Sequence, residues 1–128
     1  MEVTRGFTAS VQGFGELRDL RDRFAAWMTT LGVPEPTTAD LVLAVNEVAT
    51  NGIEASPSAD VEIDAVQVDD LVRVVVVNQG PPFDGVPAPV EPSNTRGRGL
   101  HLATALADSL AFAPTQRGTV VTLTKRLR

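Results

Sequence analysis

The chain has 128 residues and a net charge of -5, and 43% of it is hydrophobic, which predicts one folded domain over residues 1–128 with a real core rather than a disordered chain. The acidic balance counts against general nucleic-acid binding. The absence of cysteine removes disulfides, thiolate zinc sites and cysteine nucleophiles together, and fits a reducing cytoplasm. No apolar run approaches the roughly 20 residues that span a bilayer, residues 1–10 lack the apolar core of a signal peptide, and the single histidine, His101, leaves little for a histidine-based metal site. Lys125 is the only lysine among 11 basic residues and reads as compositional bias rather than chemistry.

Residues 3–10 predict a first strand, with Val3 and Phe7 as its apolar positions. Gly13 and Gly15 break the chain. Leu17, Leu20, Phe24, Trp27, Met28 and Leu31 then recur at helical spacing, so residues 14–31 read as an amphipathic helix whose aromatic pair packs into a core. The run Gly32-Val33-Pro34-Glu35-Pro36 ends that helix and connects to the next. Thr37 and Asp40 have the spacing of a capping box, and residues 40–55 predict a second helix that Ser56-Pro57-Ser58 stops. Val61, Ile63 and Ala65 alternate with Glu62 and Asp64, as in a half-buried strand. After an Asp69-Asp70 turn, residues 71–77 are almost continuously aliphatic, which suits a central strand paired with the preceding one in a hairpin.

Residues 79–97 hold five prolines and three glycines and read as a long loop of the kind that is usually functional. A short helix from Leu100 to about Ala107, a strand over residues 109–114, a turn, and a closing strand over residues 119–126 complete the chain. Helices segregated from mostly antiparallel strands predict an α+β two-layer sandwich, with a mixed, mostly antiparallel sheet and helices on one face.

The second helix carries two polar residues that a core helix does not need. Glu47 and Asn51 are four apart and share a face, with Leu41, Val45 and Val48 expected on a different one. Either could be a solvated residue, but the pair also suits chemistry. Glu47 can accept a proton from a hydroxyl or a water. Asn51 offers a neutral oxygen to magnesium, a cation that keeps several waters and takes phosphate oxygens as further ligands. Gly97 and Gly99, at a helix entrance, free backbone N–H groups for a phosphate, and Arg96 and Arg98 add charge. Asn78, ending a buried strand, presents a donor and an acceptor to a base edge, and Gly80 lets a planar ring approach the backbone. Each signal alone is common; their order along the chain is what points to a nucleotide site.

In that order the segments resemble the GHKL (Bergerat-fold) ATPases, and among them the small stand-alone anti-sigma-factor serine/threonine kinases, over roughly residues 17–127. Glu47-Val48-Ala49-Thr50-Asn51 is similar to the family's N box, which implies Glu47 as general base and Asn51 as magnesium ligand. Asn78-Gln79-Gly80-Pro81-Pro82 resembles the first glycine box, which implies adenine contacts from Asn78, Gly80 and Pro82. Gly97-Arg98-Gly99-Leu100 resembles the second, which cradles the phosphates with Arg96 beside it, and Thr119 would face the adenine pocket from the closing strand. The resemblance implies ATP and Mg2+ as cofactors, an anti-sigma-factor antagonist as protein substrate, a sigma factor as the alternative partner, a homodimer, and neither nucleic acid nor membrane as a direct partner.

The sequence departs from the family pattern in three places. Asn78 stands where the family carries aspartate. Its oxygen can accept the adenine amino hydrogen without charge, which predicts ATP binding weaker by about 1–2 kcal/mol. Ala55 stands where relatives often carry histidine, and Arg96 is displaced by about one residue from the phosphate-sensing arginine. Two other readings fit the residues: a catalytically weak or inactive ATP-binding-fold module that acts by sequestering a protein, and a catalytic half detached from a histidine kinase, against which the absent phosphoacceptor helix counts, as does the loop between the two glycine boxes, which by resemblance is an ATP lid and a short one for that family.

Overall fold

Alternating apolar and polar residues become a sheet with one buried face. The computed structural model describes residues 3–55, 59–78, 103, 105–115 and 118–127. Strand β1 covers Val3–Val11, β2 Val61–Val68, β3 Leu71–Asn78, β4 Ser109–Thr115 and β5 Gly118–Arg126. They form one sheet in the order β1-β2-β3-β5-β4, and every neighbouring pair is antiparallel. In β2 the alternation is literal: Val61, Ile63 and Ala65 are buried while Glu62 and Asp64 are exposed. The β2–β3 hairpin turns through Asp69 and Asp70, and Asp69 takes a φ of 54°, a left-handed conformation that aspartate tolerates better than most residues.

Two helices cover the buried face. A short 3-10 turn, Phe14–Glu16, leads into α1, Leu17–Thr30. The predicted stripe is the buried one: Leu17, Leu20, Phe24, Trp27 and Met28 all face inward. Gly32 ends α1 with a φ of 75°. Its N–H reaches the Thr29 carbonyl at 3.0 Å, and the Val33 N–H reaches the Met28 carbonyl at 3.4 Å. That bond pair lets the last carbonyls of the helix find partners.

Helix α2 runs Glu35–Ala55, starting five residues before the sequence expectation. Pro36 lies in its first turn, where a missing N–H costs no helical bond. The Thr38 N–H already bonds the Pro34 carbonyl at 3.0 Å, so Thr37 and Asp40 lie inside the helix and do not cap it. Ala103, Ala105 and Leu106 are helical, as predicted for the segment before β4; its expected start at Leu100 lies outside the described residues. None of the described helices is long and apolar enough to cross a membrane.

The core is a single apolar cluster from all of these elements. At the β1 end, Phe7, Phe24 and Trp27 pack ring against ring, with centroids 5.3 to 5.9 Å apart. At the other end α2 comes so close to the sheet that only glycine fits. A Cβ added at Gly52 would stand 2.9 Å from Val61 Cγ2 and 3.6 Å from Asn78 Cβ. Lys125 ties the layers at the far edge: its Nζ donates to the Leu106 carbonyl at 2.8 Å and lies 3.9 Å from the Asp40 carboxylate. The only lysine is therefore a structural link.

Two stability outcomes follow from the packing. Gly52→Ala gains about 1 kcal/mol of helix propensity but overpacks against a branched, fully buried side chain, which costs about 1–3 kcal/mol. The expected net is a lower urea midpoint, with favourable coupling to Val61→Ala in a double-mutant cycle. Phe24→Ala, which empties the centre of the aromatic trio, is expected to cost about 3–5 kcal/mol in the same measurement.

Candidate functional site

The site is built where the C-terminal half of α2 crosses the ends of β3 and β5. The β3–β5 register sets Asn78 directly opposite Thr119. Both are buried, at 4% and 1% exposure, because these positions continue the inward alternation of Val72, Val74 and Val76 on β3 and of Val121 and Leu123 on β5. Two inward polar residues in an otherwise aliphatic set are what packing alone would not select. Above them lies Asn51, with 3% exposure. Val48, Asn51, Gly52, Val76, Asn78, Thr119 and Val121 line one small cavity of about 10 Å³, the room of a single water.

Asn51 is the unusual member. Neither its Oδ1 nor its Nδ2 has a hydrogen-bond partner among the described residues, and both atoms are buried. A buried amide left in this state costs about 1–3 kcal/mol, and an orphaned group of this kind in a folded protein calls for an explanation such as a ligand. One neutral oxygen donor suits a hard cation that takes the rest of its shell from waters and phosphates. Among the described residues there is no cluster of three or more His, Cys, Asp or Glu able to hold a metal, so a metal here would rely on Asn51 together with its substrate. The residues present fit that modest demand.

Glu47 precedes Asn51 by one helical turn and is half-buried. It does not line the cavity, although its chain neighbour Val48 does. The expectation that Val48 lies on a different face from Asn51 is corrected: the two are three apart and line the same cavity, because α2 is buried over a face wide enough to include Leu41, Val45, Val48 and Asn51. Gly52 escaped the sequence reading altogether. A glycine inside a helical pattern next to a candidate ligand is a signal of close backbone approach. The other expected site residues, Gly80, Pro82, Arg96, Gly97, Arg98, Gly99 and Leu100, lie outside the described residues, as does His101.

The geometry can do three things. The Asn78–Thr119 pair can read a flat polar edge pushed against an apolar floor. Asn51 can supply an oxygen from α2 into the same cavity. Glu47, half-buried one turn before Asn51, can accept a proton.

The fold has counterparts among known proteins. The crystal structure of the RsbU and RsbW domains of Rv1364c from Mycobacterium tuberculosis superposes with a TM-score of 0.75 at 24% identity, over 97% of this chain and 32% of that one. The likeness speaks to the fold, and this chain spans about a third of that protein's chain. A family model described as the histidine kinase-like ATPase domain matches residues 14–125, nearly the whole length and every site residue named above. The chain therefore belongs to the histidine kinase-like ATPase domain family.

Proposed function

We propose that this protein is an ATP-dependent protein serine/threonine kinase of the anti-sigma-factor type, acting on an anti-sigma-factor antagonist in the cytoplasm, with a sigma factor as its alternative partner. The observation that carries the reading is the orphaned amide of Asn51, buried beside the Asn78–Thr119 pair.

In this reading the adenine edge meets Asn78 and Thr119, while Val48, Val76 and Val121 keep water from the ring. Gly80 and Pro82 border the base. Gly97, Gly99 and Leu100 present backbone N–H groups to the phosphates, with Arg96 and Arg98 supplying charge. Asn51 Oδ1 would hold Mg2+, which when bound supplies charge neutralisation across the phosphates. Glu47 accepts the proton of a serine hydroxyl on the partner protein. That oxygen bonds to the γ-phosphorus as the bond to the ADP oxygen breaks. Positioning and charge complementarity do most of the work, as is general for phosphoryl transfer.

Asn78 favours a second reading. A neutral amide replaces the carboxylate expected against the adenine amino group, so a module that binds ATP weakly or not at all, and acts by sequestering a protein, is the alternative.

Isothermal titration with ATP and Mg2+ separates the two: binding in the micromolar range supports the kinase, and no heat at high micromolar nucleotide supports sequestration. Asn78→Asp is expected to tighten ATP about 5- to 30-fold, the equivalent of about 1–2 kcal/mol, and to lower the melting temperature of the nucleotide-free protein, because position 78 is buried and burying a charge there is costly. Unchanged or weaker affinity would end that assignment of Asn78. Asn51→Leu removes the orphaned amide, so the nucleotide-free protein should melt at the same temperature or higher while losing its Mg-ATP-induced stabilisation. A less stable variant that still binds would mean a structural role. Glu47→Gln should leave ATP affinity intact and slow transfer about 10²- to 10⁴-fold, read as acid-stable phosphoserine on the partner; an acid-labile product would point to phosphohistidine instead.

A further inference from the structure

The polar lining of the amide-bearing cavity carries no charge. Among the described residues its polar members are Asn51, Asn78 and Thr119, and every other lining residue is valine or glycine. Each of the three polar side chains can both donate and accept a hydrogen bond. Neither a carboxylate nor a cation in that lining fixes the sign of the group that lies against it. A carboxylate in the same place would present acceptors only, whichever way it turned.

Asn78 and Thr119 are fixed at the backbone and adjustable at the tip. Asn78 lies in one rung of the sheet between Val61 on β2 and Thr119 on β5, and the backbone of Gly52 closes on its Cβ from above. Beyond that Cβ the amide turns about a torsion that is broad and roughly two-fold. A half-turn exchanges an oxygen for an NH2 group of nearly the same size. The hydroxyl proton of Thr119 rotates in the same way. Donor and acceptor can therefore change places at this end of the cavity without backbone movement or extra volume. One rung further in, Val76 faces Val121 and offers an apolar floor that makes no distinction between purines.

We propose that this pocket takes 6-oxopurine nucleoside triphosphates, the class of inosine and guanosine triphosphate, alongside ATP, and that Asn78 is the residue that sets this breadth. The inference rests on the nucleotide reading of the cavity and adds the class of base to it. Against a 6-amino group, Asn78 Oδ1 accepts an amino hydrogen. Against a 6-oxo group, the amide is turned over and Nδ2–H donates to the carbonyl oxygen. The ring nitrogen next to that position is bare in adenine and protonated in hypoxanthine, and a hydroxyl such as that of Thr119 serves either state. An uncharged pair that answers both bases leaves no buried polar group unmatched by either, and unmatched groups are what strong discrimination requires.

Titration of the full chain with ATP and with inosine triphosphate, each with Mg2+, tests this. Inosine triphosphate is the probe because its base differs from adenine only along the edge in question. The expected dissociation constants for the two nucleotides lie within about tenfold of each other. Asn78→Asp should tighten ATP, weaken inosine triphosphate, and so raise the preference for ATP by about 25-fold or more. Asn78→Ala carries the test if the buried aspartate prevents folding: it should weaken both nucleotides together and leave their ratio within about threefold of the natural chain's. A natural chain that binds ATP but takes inosine triphosphate more than tenfold more weakly overturns this inference and leaves the ATP reading standing. A ratio that Asn78→Asp does not move, or a loss on Asn78→Ala confined to one nucleotide, overturns the role of Asn78. A chain that binds neither nucleotide overturns the inference and the ATP reading together.

Discussion

A gap too small for one methyl group sets the architecture of this protein. At Gly52 the backbone of α2 rests on Val61 and against the Cβ of Asn78, and that seat fixes the height of the helix over the sheet. Raise the helix by the width of a side chain, and Asn51 no longer shares a cavity with Asn78 and Thr119. The helix end and the two strand ends meet because the smallest residue of the chain sits at their crossing. The rest of the core, from Leu41 to Ile53 on the helix and across the aliphatic inner face of the sheet, holds that crossing in place through ordinary burial.

The sheet order contributes as much as the close contact. β3 lies between β2 and β5, so the two strands that end at the site are neighbours although about 40 residues separate their site residues. Their register, Asn78 opposite Thr119, turns two unrelated inward positions into a pair. At the β1 edge of the sheet, Phe7, Phe24 and Trp27 anchor α1. The molecule thus has an aromatic end that is purely structural and an amide-lined end that is not. Polar groups inside the second end lower stability relative to valine or leucine, and such local costs concentrate where proteins act.

Most of the fold could be read from periodicity. The alternation in β2, the aliphatic run of β3 and the helical spacing from Leu17 to Met28 each have one physical solution, and the described elements match them. The start of α2 was harder: Pro34-Glu35-Pro36 reads as a break, because proline in a helix interior is a break, yet in a first turn it removes no bond. Within the site, Glu47, Asn51 and Asn78 were legible as polar residues in apolar settings, and Thr119 only through the family resemblance. The sharing of one cavity by Val48 and Asn51 was not, since a helical wheel gives directions and not the width of the buried face. Gly52 was invisible for a related reason: its role depends on Val61, a residue nine positions away whose location only the folded sheet defines.

The aromatic end has a practical corollary. The chain holds one tryptophan and no tyrosine, so ultraviolet emission excited near 295 nm originates from Trp27 alone, wedged between Phe7 and Phe24. That indole is a reporter wired to the joint between the first strand and the first helix, at the opposite pole from the amide-lined cavity. Its signal follows detachment of that joint, and a spectroscopist watching it would see the molecule come apart while remaining blind to what enters the other side.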